Sequence, residues 1–162
     1  MRGRVRQDES SRRSSGPPMY PATSLSHNGA MVLPEPVRAI TVSEQAVHSN
    51  ALALLLGTSP QIDVVASETR VRTARTAIVR TRPDVVVIRT SDSNLYRFRR
   101  LFDLHLEMPD LGFVIVLDEE TDGSVQRALL HWATVVLPAE FSLAALLSAV
   151  MTAAGHRPLV GV

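Results

Sequence analysis

No cysteine occurs among the 162 residues of this chain, which excludes disulfides, thiolate nucleophiles and cysteine-ligated zinc. Lysine is absent too, so all 17 basic residues are arginine. That removes a P-loop lysine, a Schiff-base lysine and a lysine general base in one step. Codon bias toward arginine and alanine accounts for the absence without any selection. Aromatic residues make up 4% of the chain against 45% hydrophobic residues overall, so the core is expected to be aliphatic. No apolar run approaches the roughly 18 residues needed to cross a bilayer. The arginine-bearing N-terminus lacks the apolar stretch of a secretory signal. A formal net charge of +1 gives no global pull toward nucleic acid or membrane. These absences lead to the expectation of a cytoplasmic protein with one domain and a tail.

What is present divides at about residue 36. Residues 1–36 carry Arg2, Arg4, Arg6, Arg12 and Arg13, several serines and Gly16-Pro17-Pro18, with no periodic apolar pattern. Such a segment buries too little surface to offset its ordering entropy and is expected to be a disordered basic extension. Residues 37–156 are regular, and 157–162 form a short tail. Strands are predicted over 39–42, 62–66, 85–88, 113–117 and 134–137, and helices over 44–56, 68–81, 95–108 and 143–154. A further short helix is expected between the acidic stretch Asp118-Glu119-Glu120 and Trp132. In the first helix Val47, Ala51, Leu52, Leu55 and Leu56 share a face, and Gly57 stops it. In the second, Ala74, Ala77, Ile78 and Thr81 face inward, opposite Arg72, Arg75 and Val79. Pro83 ends that helix, and the uninterrupted run from Val85 to Ile88 is what a strand covered on both faces needs. Ser142 is placed to cap the last helix and Gly155 to end it. Alternating strands and helices of this length predict a flavodoxin-like, doubly wound α/β domain. It has a five-stranded parallel sheet in the order 2-1-3-4-5 and five helices.

The order and spacing of these pieces, above all Arg82-Pro83-Asp84-Val85-Val86-Val87-Ile88-Arg89, resemble the receiver half of LuxR/NarL-type response regulators. Ser59 to Val65, Phe113 to Leu117 and Ser142 to Gly155 carry the same likeness. The resemblance implies a phosphorylation pocket at the carboxyl edge of the sheet, and this chain departs from it at each position. Ser43 and Glu44 stand where the family has paired acids for Mg²⁺. Arg89 stands at the phosphoacceptor aspartate, Asp118 at the Ser or Thr after the fourth strand, and Pro138 or Ala139 at the lysine after the fifth. A guanidinium accepts no phosphoryl group on a carboxylate, and it repels a divalent cation. The resemblance so altered implies a degenerate receiver with no catalytic residue, cofactor or metal. Glu44, Arg89 and Asp118 are expected to converge as a salt-bridged cluster. An anionic effector bound at Arg89 is the alternative.

Other residues leave their readings open. His48, His105 and His131 lack the spacing of a metal site. Tyr96-Arg97-Phe98-Arg99-Arg100 suits a nucleic-acid surface, and equally a helix with Phe98, Leu101 and Leu104 inward. Trp132, Val136, Leu143 and Leu147 lie on the face through which receivers often dimerise, though Trp132 suits a core position as well. The chain is therefore expected to be a phosphorylation-independent regulatory module, not an enzyme. It would work through a homodimer or a regulatory protein partner. With only a few residues beyond the last helix, direct nucleic-acid binding is not expected of it, nor is membrane contact.

Overall fold

A computed structural model describes residues 24–25, 31–32, 35–119, 127, 130 and 133–155. Most of the predicted extension 1–36, the tail 157–162 and the predicted helix through Trp132 lie outside the described residues. Within the first 34 residues, Ser24–Leu25 pairs antiparallel with Met31–Val32. The main domain runs β1 Val37–Ser43, α1 Ala46–Leu56, β2 Ile62–Glu68, α2 Val71–Thr81 and β3 Val85–Thr90. A 3₁₀ segment Asp92–Phe98 then leads to the short helices α3 Arg99–Phe102 and α4 Leu104–Glu107. After these come β4 Gly112–Leu117, β5 Val135–Leu137 and α5 Leu143–Ala154. The five strands form one sheet in the order β2-β1-β3-β4-β5, and every pairing is parallel. This is the predicted 2-1-3-4-5 topology.

The hydrophobic pattern explains the central strands. Val85 to Ile88 and all six residues of β4 are buried, as two-sided cover by helices demands. Side chains alternate across the sheet. Val86 and Ile88 pack with Ala77, Ile78, Phe98 and Leu101 on the α2–α3 side. Val85 and Val87 pack with Leu52, Leu56, Leu146 and Val150 on the α1–α5 side. The Pro83-Asp84 pair that follows α2 has a structural task at the amino edge. The Asp84 carboxylate accepts from Arg38 N at 2.9 Å, and Asp84 N donates to Arg38 O at 2.8 Å. Just before it, Arg82 ends α2 in the left-handed region at φ 47°, a conformation more often given to glycine.

Three local expectations are corrected. Helix α1 begins at Ala46, after the N-cap Gln45, so Glu44 lies before the helix. Val47 is 67% exposed, whereas Ser49 is buried, because the hydroxyls of Thr41, Ser49 and Ser67 form a hydrogen-bonded cluster between β1, α1 and β2. A buried hydroxyl is tolerated where it finds partners, and these three supply one another. The predicted helix 95–108 is broken into the 3₁₀ segment, α3 and α4. Phe98, Leu101 and Leu104 are all buried at a constant spacing of three, and tighter 3₁₀ winding keeps such residues on one face. Gly57 does end α1, but at φ −65° rather than in a left-handed cap.

Candidate functional site

Strand register brings the altered positions to one edge. Ser43, the last residue of β1, is in register with Arg89 of β3, which is in register with Val116 of β4. By alternation Arg89 follows Val85 and Val87 onto the α1–α5 side, and Asp118 follows Val114 and Val116 there. The strand ends are tied together by Asp118 N, which donates to Thr90 O at 2.9 Å. Ser43, Arg89 and Asp118 line a cavity of about 370 Å³ at the carboxyl ends of β1, β3 and β4, the crevice where doubly wound sheets bind ligands.

Its centre is one ion pair. Arg89 Nε donates to Asp118 Oδ1 at 2.6 Å, and both side chains are about one-quarter exposed at 24% and 25%. That distance is at the short end for a charge-assisted bond. Glu44 also lines the cavity, yet the ion pair it makes is with Arg97, Oε1 to Nη1 at 3.7 Å. The expected three-membered cluster is thus a close Arg89–Asp118 pair with Glu44 turned to a different arginine. Arg97 is more than half exposed and its guanidinium lies 5.9 Å from the Tyr96 ring centroid. A hydrogen bond to the Tyr96 hydroxyl, with the charges of Tyr96 and Glu44 behind it, pushes the Arg97 pKa up.

Sequence reasoning missed His48 as a cavity residue. Its Nδ1 is buried without a hydrogen-bond partner and lies 4.0 Å from Asp118 Oδ1. The available signal was positional, since the first turn of a helix that follows β1 overhangs the carboxyl edge of the sheet. Ser91 and Asn94, at the start of the 3₁₀ segment, close the cavity from the β3 side. Pro138 and Ala139 are not among the lining residues; Pro138 is exposed just past β5. His105 is exposed on α4, and His131 and Trp132 lie outside the described residues. Of the other interface candidates, Leu143 is 40% exposed, while Val136 and Leu147 are half-buried.

The residues present do not fit Mg²⁺. That ion demands near-octahedral oxygen ligation, with one or two carboxylates as its protein anchors. Here Asp118 Oδ1 is taken by a guanidinium, and Glu44 faces Arg97. Ser43 Oγ, 3.4 Å from Gln45 N, offers a neutral hydroxyl and no charge. Among the described residues no group of three His, Asp or Glu is arranged to hold a metal ion.

Comparison with known proteins agrees with the topology. No protein-family model matches the chain. Over 100 residues it is 33% identical to the DNA-binding transcriptional activator DevR/DosR of Mycobacterium tuberculosis. That match takes in 60% of this chain and 45% of the activator, so the chain spans less than half the length of this relative. The signal receiver domain of the response regulator NarL from the same organism superposes with a TM-score of 0.63 at 17% identity, covering 76% of this chain and all of that domain. A LuxR-family DNA-binding response regulator from Staphylococcus aureus superposes at 0.60 and 15% identity, over 73% of this chain and 98% of that one. The domain described here therefore has the receiver fold of LuxR/NarL-type response regulators.

Proposed function

We propose that this chain is a signal-transduction module that regulates by contact with another protein or a second copy of itself, without being phosphorylated. The observation that carries this reading is the Arg89–Asp118 pair at 2.6 Å. It lines the edge pocket with a permanent cation and its counter-ion, where a receiver needs a free carboxylate beside Mg²⁺. The pair also bridges the ends of β3 and β4, the two strands whose following segments would have to move in a switch. A receiver in which that link is always made has one favoured state, and its output depends on which partner is present rather than on phosphate.

An anionic effector at Arg89 is less favoured. Among the described residues the cavity is lined by Glu44, Asp118 and Glu119 against the guanidinium of Arg89. Three carboxylates around one engaged guanidinium repel an anion.

The test is incubation of the full chain with acetyl phosphate and Mg²⁺, followed by intact-mass measurement under mildly alkaline and acidic conditions. No labile phosphoryl adduct is expected. An adduct that maps to any carboxylate of the cavity would overturn the reading.

A further inference from the structure

A second, larger groove lies away from the sheet edge, between α2 and the segment that runs from the 3₁₀ turn into α3 and α4. It has a volume of about 1000 Å³, and Arg72, Arg75, Arg80, Arg97, Arg100 and Glu107 line it. All five arginines are exposed. Arg75 faces Glu107 at 3.6 Å and Arg97 faces Glu44 at 3.7 Å. Among the described residues Arg72, Arg80 and Arg100 have no ion pair. A chain of formal net charge +1 thus gathers five of its cations along one trough that has, among the described residues, a single carboxylate. Concentrated charge of one sign in a concave site focuses its field on an oppositely charged partner.

The shape and the neighbours of the groove narrow that partner. Two banks of guanidinium groups on separate helices suit a chain of phosphates running between them, since each fork pairs with phosphate through two parallel hydrogen bonds. Val71 and Val79 add apolar surface to the lining. Tyr96 adjoins the groove through Arg97 without lining it; the Arg97 guanidinium lies over its ring, and at 69% exposure the ring keeps surface free for stacking. Cations that track a backbone and an exposed aromatic that takes a base are the two parts of a single-strand binding surface. An acidic peptide would satisfy the first part and leave the second without use.

We infer that the α2–α3 groove is a sequence-tolerant binding surface for single-stranded nucleic acid. This departs from the expectation that the chain makes no direct nucleic-acid contact, under which Tyr96 to Arg100 served equally as a helix with Phe98 inward. The fold sets that stretch opposite the three arginines of α2. The inference is independent of the edge pocket, because none of Arg72, Arg75, Arg80 and Arg100 lines it.

Fluorescence anisotropy of a labelled oligothymidylate with the full chain tests it. Binding is expected at low salt. With the three unpaired arginines each neutralising a phosphate, affinity should fall as about the second power of salt, so that a fourfold rise in salt weakens it about sixteenfold. The triple variant Arg72→Ala/Arg80→Ala/Arg100→Ala should lose that salt-dependent binding while its thermal melt stays unchanged, these side chains being exposed. Tyr96→Ala should weaken binding about tenfold. Absence of binding by the full chain overturns the proposal. So does undiminished binding by the triple variant, which would assign the affinity to another part of the chain. If polyglutamate displaces the oligonucleotide at equal charge and Tyr96→Ala changes nothing, the groove belongs to an acidic protein instead.

Discussion

Arg89 and Asp118 are each only one-quarter exposed, which places their bond between two energetic regimes. Fully exposed ion pairs contribute at most about 1 kcal/mol, whereas truncating one partner of a buried pair costs about 3–5 kcal/mol. Arg89→Ala is therefore expected to destabilise the domain by about 1–2 kcal/mol, an intermediate value between those limits. The loss comes partly from the broken bond and partly from leaving Asp118 beside Glu44 and Glu119 in a shared cavity. His48, 4.0 Å from the same carboxylate, offers only a poor substitute. A double-mutant cycle with Asp118→Ala, followed by urea unfolding, isolates the pair, and a coupling of about 1 kcal/mol is expected. A coupling near zero would mean that the pair does not hold β3 to β4. At this scale the sequence was informative about which residues meet and less so about who bonds to whom. Ser43, Arg89 and Asp118 follow from strand positions alone. Glu44's choice of Arg97 depends on the 3₁₀ path of the segment after β3, and apolar spacing does not report that path beforehand.

The strands and the long helices were legible because each carries a single dominant period. Helix α5 is the clearest instance. Ser142 caps it as predicted, its hydroxyl accepting from Ala145 N at 3.1 Å, and Leu146, Ala149, Val150 and Ala153 are buried at helical spacing. The stretch after β3 was less legible because its apolar residues repeat every three positions, which suits a 3₁₀ turn and an α-helix almost equally over so short a span. Close approach of elements was not legible at all. Gly112 opens β4 directly beneath the end of α5, and a Cβ there would lie 2.6 Å from the Ala153 carbonyl oxygen and 2.9 Å from its carbon. Both obstacles are backbone, so neither can rotate away. Gly112→Ala is expected to push α5 off the sheet and destabilise the domain by about 2–3 kcal/mol, at the upper end for overpacking. Thermal or urea unfolding measures this directly. A variant as stable as the parent would show that α5 shifts freely on β4, against the burial of Val150 and Ala153 between them.

Across the whole domain, chemistry is divided by face and edge. The carboxyl edge holds the cavity with three carboxylates and Arg89, and the α2–α3 face holds the arginine groove. The α5 face holds almost no charge, because Leu143 to Ala154 contains no ionisable side chain. On the outer side of that helix Leu143, Leu147 and Met151 stand at i, i+4 and i+8, one stripe of a helical face. Leu143 and Met151 are 40% and 38% exposed, whereas Val136 of β5, in register with Ile115, packs on the opposite side of the sheet and takes no part in this stripe. An uncharged helix that keeps an apolar stripe toward water fits an interface better than a free surface. Of the two partners proposed, a second copy of the chain gives the simpler expectation, since an isologous contact needs only this one stripe to meet itself. Light scattering of the full chain should then report a dimer, and Leu143→Glu/Met151→Glu should convert it to a monomer of unchanged fold. The introduced carboxylates would face each other across the two-fold axis, where like charges in a desolvated contact are strongly unfavourable. A parent chain that is monomeric at high concentration would remove the homodimer and leave a different regulatory protein as the partner of that face. A dimer that survives both glutamates would move the contact away from α5 to another surface.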